Sequence, residues 1–206
     1  MDEADRQSAF LAALGNEYFV LQSAASTTVG ESGTRASLYV FSLSSSLVAV
    51  GFVSQSERAI GPFLAVVLPT LFVLGLFTTV RLVDTGVQNV SYLRAMARVR
   101  RYWADLAPDA PAFFGSEDDD DVHAALASLA VSYGPTAELF TIASMIATVN
   151  SVVGGTGVTL FVLHLRGDAD PGLAIPVAAG VVAGAVALAL FLVYQHRRYQ
   201  HMAQTG

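Results

Sequence analysis

Residues 173–194 read LAIPVAAGVVAGAVALALFLVY, with no charged side chain, and are followed at once by Gln195, His196, Arg197 and Arg198. A helix needs about 20 mostly apolar residues to cross about 30 Å of hydrocarbon. This run meets that length and ends in basic residues. Three more runs of the same kind lie upstream: Ala36 to Val53, Ile60 to Val80 and Leu139 to Leu165. None contains an acid or an arginine, and His164 near the end of the third is their only histidine.

The composition agrees. Of 206 residues, 53% are hydrophobic and 14% charged, and the mean hydropathy is +0.53. Soluble domains run nearer 45–50% apolar and about 25% charged. Cysteine is absent, which excludes disulfides, thiolate metal sites and cysteine nucleophiles. All 11 basic residues are arginine, which reads as codon bias in a GC-rich genome. The net charge of −6 argues against nucleic acid as a partner, because phosphate binding needs a basic surface. No signal peptide is expected, since the start, Met-Asp-Glu-Ala-Asp-Arg, is acidic where a signal is basic. No lipidation motif is present.

The connections pair the runs. Gln55 to Arg58 joins the first to the second, and Arg166 to Gly172 joins the third to the fourth, so the expected fold is two helical hairpins. Arg81 to Glu138 separates them. Arginine is distributed unevenly over the two sides. Arg6, Arg35, Arg81, Arg94, Arg98, Arg100, Arg101, Arg197 and Arg198 fall on one, and Arg58 and Arg166 on the other. The positive-inside rule places the first set, both termini and the long middle segment in the cytoplasm.

Outside the spans the pattern is also helical. Phe10, Leu11, Leu14, Tyr18, Leu21 and Ala25 recur at spacings of three and four, the stripe of an amphipathic helix. That helix is either continuous with the first span or broken near Gly30 and Gly33. The second helix is expected to continue past Val80 to about Leu106, carrying Val83, Val87, Val90 and Met96. Ala107 to Asp121 reads as a loop, with Pro108, Pro111, Gly115 and the acidic run Glu117 to Asp121. His123 to Tyr133 reads as a short amphipathic helix, and Glu138 falls in the first turn of the third span.

Several features could carry chemistry. Arg94, Arg98 and Arg101 differ by four and three and share a helical face, with Arg100 to the side. They form either a site for an anion, such as a lipid head group or a phosphate, or a topogenic signal at a cytoplasmic helix end. Five consecutive acids, Glu117 to Asp121, lack the alternation and glycine of a calcium loop, and such blocks are ordinarily solvated. Asn150, with Gly154, Gly155 and Gly157 after it, either glues helices together or lines a pore or broken-helix site. Gly180 and Gly184 form a Gly-x-x-x-Gly pair suited to close helix packing. Ser42, Ser44, Ser45 and Ser46 either line a water path or bond to their own helix backbone.

A metal site is not expected. The four histidines lie in separate segments, and the nearest two, His196 and His201, are not at the spacing of three or four that a helical site needs. No phosphate loop, Gly-x-Ser-x-Gly or dinucleotide fingerprint occurs, and no acid lies within a span to relay protons. The expectation is a non-enzymatic protein without a cofactor.

Two blocks resemble a known group. The first is Asn16-Glu17-Tyr18-Phe19-Val20-Leu21-Gln22, with Glu31 and Arg35 ahead of the first span. The second is Arg81-Leu82, then Asn89, Tyr92, Arg98, Arg100, Arg101, Tyr102 and the Ala107-Pro108 step. Together they resemble four-pass membrane proteins common in actinobacteria, to which no activity is assigned. In similar proteins the acidic stretch often carries histidine, whereas here His123 follows it. The resemblance implies the four-pass topology and no mechanism. The layout is also similar, as architecture alone, to four-helix membrane effectors of bacterial immune systems.

The expected fold is all-α and integral to the membrane, with four transmembrane helices in two hairpins and a cytoplasmic helical extension. Its parts are residues 1–35 (amphipathic cytoplasmic helix), 36–80 (first hairpin), 81–138 (extension and acidic loop), 139–194 (second hairpin) and 195–206 (cytoplasmic tail). The inner membrane is the expected location, and the lipid bilayer and further copies of the chain are the expected partners. Three functions are open: a self-associating scaffold or assembly component, an oligomeric pore or membrane-disrupting effector gated by an anionic cytoplasmic ligand, and an accessory subunit of a transporter or envelope complex, with an unknown membrane or cytoplasmic protein as its partner.

Overall fold

In a computed structural model, residues 2–106, 109, 141–167 and 172–204 are described. Their regular structure is helical, with no strand among the described residues. The order is α1 (Glu3–Val53), α2 (Glu57–Ala104), α3 (Ile142–Arg166) and α4 (Ala174–Gln204). All four contain a stretch long and apolar enough to cross a membrane. The chain is therefore an all-α, multi-pass membrane protein.

Local chemistry explains the ends. Between α1 and α2, Ser54 N–H donates to the Val50 carbonyl at 2.8 Å and Ser56 N–H to Val53 at 2.9 Å, tightening the last turn. The Ser56 carbonyl then accepts from Ile60 N–H at 3.1 Å, and Glu57 lies in the first turn of α2, where the helix dipole favours an acid. Thr141 caps α3, its hydroxyl accepting from Ser144 N–H at 3.2 Å. Gly167 ends α3 at φ 61°, a left-handed conformation that glycine adopts without strain. Pro176 lies in the first turn of α4, where its missing N–H has no intrahelical partner to lose.

Two expectations about boundaries are resolved. The N-terminal segment is not a separate helix: α1 passes unbroken through Gly30 and Gly33 into the apolar run, as one helix of 51 residues. Glycine costs about 1 kcal/mol against alanine in a helix interior, too little to interrupt a helix this long. Residues 195–204, expected as a tail, continue α4 as helix. The acidic run Glu117 to Asp121, the short helix His123 to Tyr133, Glu138 and most of the second hairpin turn lie outside the described residues.

The chain divides into two compact units, residues 1–31 with 85–138 and residues 32–84 with 139–206. In the second unit, large apolar side chains point outward from every helix: Phe52 is 74% exposed, Phe77 70%, Phe161 62% and Leu190 67%. Water would not tolerate apolar surface on that scale, and lipid tails would. Among the described residues, the first unit holds two antiparallel helix segments joined along an aromatic seam. Phe10 meets the Tyr102 ring edge-on at 5.5 Å, and Tyr18 meets Trp103 at 5.3 Å. Thr28 shares its hydroxyl proton between the Ala25 carbonyl at 2.7 Å and Asn89 Oδ1 at 3.1 Å. The stripe from Phe10 to Leu21 is thus matched by Thr85, Asn89, Tyr92, Met96, Val99 and Trp103, which recur on α2 at spacings of four and three.

Gly30 is exposed, and a Cβ there would meet nothing. Gly30→Ala should therefore raise stability by roughly 0.5–1 kcal/mol through the helix propensity gained. An upward shift of the thermal melt in detergent, followed by circular dichroism, checks this. A helix broken at Gly30 would instead show no gain or a loss.

Candidate functional site: an intramembrane asparagine node and an arginine stripe

Asn150 lies near the middle of α3 and is buried at 5% exposure. An amide facing hydrocarbon needs partners, and two helices supply them. From α1, Tyr39 Oη donates to Asn150 Oδ1 at 3.1 Å. From α2, the Phe72 carbonyl accepts from Asn150 Nδ2 at 3.1 Å. Tyr39 is itself only 1% exposed. One side chain thereby ties three helices of the second unit together.

The node depends on the small residue beside it. A Cβ at Gly75 of α2 would fall on Asn150 Oδ1 and lie 2.8 Å from the Tyr39 ring. One turn later, the buried Thr79 hydroxyl donates to the Gly75 carbonyl at 2.5 Å. One turn beyond Asn150, a Cβ at Gly154 would lie 2.7 Å from the Phe72 ring. The Asn150 and Gly154 positions therefore form the α2-facing edge of α3.

The next edge of α3 faces α4, and there the backbones touch. A Cβ at Gly155 would lie 2.6 Å from the Gly180 carbonyl oxygen, and one at Gly184 2.9 Å from the Ser151 carbonyl oxygen. A Cβ at Gly180 would strike Thr159 Oγ1 and lie 2.5 Å from the Gly155 carbonyl oxygen. Gly157 is the exception: it faces open space. Two residues from Gly155, it is carried about 200° round the helix, away from this contact.

Toward the start of α3 a second polar cluster joins it to α4. Ser144 Oγ donates to Gln195 Oε1 at 3.1 Å, and Gln195 Nε2 donates to Thr141 Oγ1 at 3.3 Å. Nearby on α4, Arg198 pairs with Asp84 of α2 at 3.3 Å. The pair is partly exposed, so it contributes little, on the order of 0–1 kcal/mol.

Arg94, Arg98 and Arg101 lie in the first unit. At 100° per residue they sit roughly half a turn round α2 from the seam of Thr85, Met96 and Val99. Arg98 and Arg101 are exposed, while Arg94 is half-buried. Arg94 and Arg101 each take part in an interaction of their own. The stripe thus faces away from the α1 segment. Among the described residues it does not share a unit with the Asn150 node.

Sequence reasoning singled out Asn150 but not its partners. Tyr39 carried a signal, being the only tyrosine in the first apolar run. Gly75 carried a weaker one, as one glycine among several. The Phe72 carbonyl carried none, because a backbone acceptor has no letter in the sequence.

Gly75→Ala should destabilise the fold markedly, since it displaces both Asn150 and Tyr39, whereas Gly157→Ala should leave the melting temperature unchanged or raised. Asn150→Leu should cost about 1–2 kcal/mol, given roughly 0.6 kcal/mol for an average intramembrane hydrogen bond and up to about 1.7 for the strongest. Thermal melts of the purified variants in one detergent rank the three. No protein-family model, curated protein sequence or solved structure matches the chain.

Proposed function

We propose that this chain is a non-enzymatic membrane scaffold that assembles with copies of itself. It would lie in the inner membrane with both termini in the cytoplasm, as the arginine distribution directs. One observation carries the reading: the polar side chains buried among the membrane helices are spent on protein partners, Thr79 and Ser151 on their own helix backbone and the others on neighbouring helices. Tyr39, Asn150, Ser144 and Gln195 all bond across helix boundaries. Catalysis asks for the opposite, a polar group held ready for a substrate. Groups committed to packing suit a protein whose task is to hold a shape in the bilayer.

The second reading, a pore or membrane-disrupting effector gated by an anionic ligand, draws on the arginine stripe. Arg98 and Arg101 are exposed, which leaves them within reach of a phosphate from solution. Native mass measurement together with liposome flux separates the readings. A scaffold gives a defined oligomer that passes no ions, with or without added cytosolic extract. Flux that appears with the extract and is lost when Arg94, Arg98 and Arg101 are replaced by alanine would replace the scaffold with the gated pore. Stoichiometric co-purification of a second protein would favour an accessory subunit.

A further inference from the structure

We infer that Arg81 and Arg197 hold the phosphate groups of anionic phospholipids in one leaflet, the cytoplasmic one by the arginine distribution. This holds whether or not the chain self-associates. The node shows where the bilayer lies along the second unit, to which both arginines belong. Tyr39, Gly75 and Asn150 share one level, since Tyr39 bonds to Asn150 and a Cβ at Gly75 would fall on that amide. From this level the apolar runs extend to Val53, Ile60 and Leu165, about 15 residues or roughly 22 Å at 1.5 Å per residue. That leaves about 8 Å of the roughly 30 Å of hydrocarbon on the other side. Arg81 lies about 9 Å beyond Gly75 along α2. Gln195 bonds to Ser144, which lies about 9 Å from Asn150, and Arg197 is about 3 Å further along α4. Both arginines therefore stand where hydrocarbon gives way to head groups.

The helix face matters as much as the depth. Arg81 follows Leu74 and Phe77 at spacings of three and four. Arg197 follows Val186, Leu190 and Val193 at spacings of four, three and four. All five apolar side chains are exposed and so face lipid, and both arginines are exposed on the same faces. A guanidinium in that position stands at the end of the tails and beside the phosphates. Arg98 and Arg101 of the first unit lack this setting. One turn before them lie Arg94, Ala95 and Ala97, with no large apolar side chain turned outward.

Charge sets which lipid is held. Arg35 and Arg198 lie near the same level, and among the described residues two acids lie with them. Asp84 pairs with Arg198 at 3.3 Å, and Glu31 stands one turn before Arg35. Four arginines against two acids leave a surplus of positive charge there. Arg81 also takes part in a contact within the protein. A guanidinium carries five N–H donors, so one partner leaves others for a phosphate. A zwitterionic head group brings its own ammonium beside the phosphate. An anionic one does not, and its phosphate accepts a paired donation from arginine without that competitor.

Purified full-length protein in detergent is mixed with equal amounts of phosphatidylglycerol and phosphatidylcholine, and the lipids it retains are counted by native mass spectrometry. In detergent the direction of membrane insertion does not enter. The wild type should retain phosphatidylglycerol several-fold over phosphatidylcholine. Arg81→Gln combined with Arg197→Gln should abolish that preference, and Arg58→Gln, at the opposite end of α2, should keep it. Equal retention of the two lipids by the wild type overturns the inference whatever the variants do. A preference that survives the double substitution, or that Arg58→Gln removes as well, places the lipid elsewhere and also overturns it. So does a preference lost in inorganic phosphate but not in chloride of equal ionic strength, which makes a soluble anion the occupant.

Discussion

Hydrocarbon offers no hydrogen bond to a backbone amide or carbonyl, and every other feature of this chain follows from that. Within the bilayer each helix must satisfy its own ladder, so the apolar runs form helices whatever their propensities. Valine, glycine and even Pro69 are accommodated inside α1 to α4. The same constraint acts on side chains. A hydroxyl or amide that water would solvate at no cost must find a protein partner here. The positions of Tyr39, Asn150, Thr79, Ser144 and Gln195 are where those partners are found.

Packing in lipid differs from packing in water in what drives it. Lipid tails are as apolar as leucine, so burying a leucine between helices gains little. Close backbone approach and hydrogen bonds remain. The α3 and α4 backbones meet through Gly155, Gly180 and Gly184, where a Cβ on any of the three would meet its neighbour closer than 3.0 Å. The node at Asn150 uses the other device, one amide bonded to two helices at once. In the first unit the logic is that of aqueous packing: Tyr18, Trp103, Phe10 and Tyr102 bring aromatic area to the seam, and the Thr28 to Asn89 contact fixes its register.

Much of this architecture was legible in residue order alone. Four charge-free runs of sufficient length dictate four spans, because a charge in hydrocarbon is too costly to hide. The helical continuation beyond Val80 followed from the absence of a breaker, and the stripe of Phe10 to Leu21 from its spacing. The site was legible only in outline. Gly154, Gly155 and Gly157 look equivalent in sequence, yet the first meets Phe72, the second meets α4 and the third meets nothing. Which way each points depends on how α3 is rotated against its neighbours, and that is set by contacts among residues far apart in the chain. For the same reason Ser42 and Ser46 could not be told from Ser44 by sequence, although their hydroxyls behave differently.

The claim beneath all of this is that lipid, not water, surrounds the outward faces of the four apolar helix stretches. Spin labels placed singly at Phe41, Val66, Phe161 and Leu190 in native-lipid bilayers report it directly, through collision with dissolved oxygen or with a water-soluble nickel chelate. The account predicts high oxygen and low chelate accessibility at all four positions. Chelate accessibility at the level of an exposed loop on two or more of the helices would contradict it.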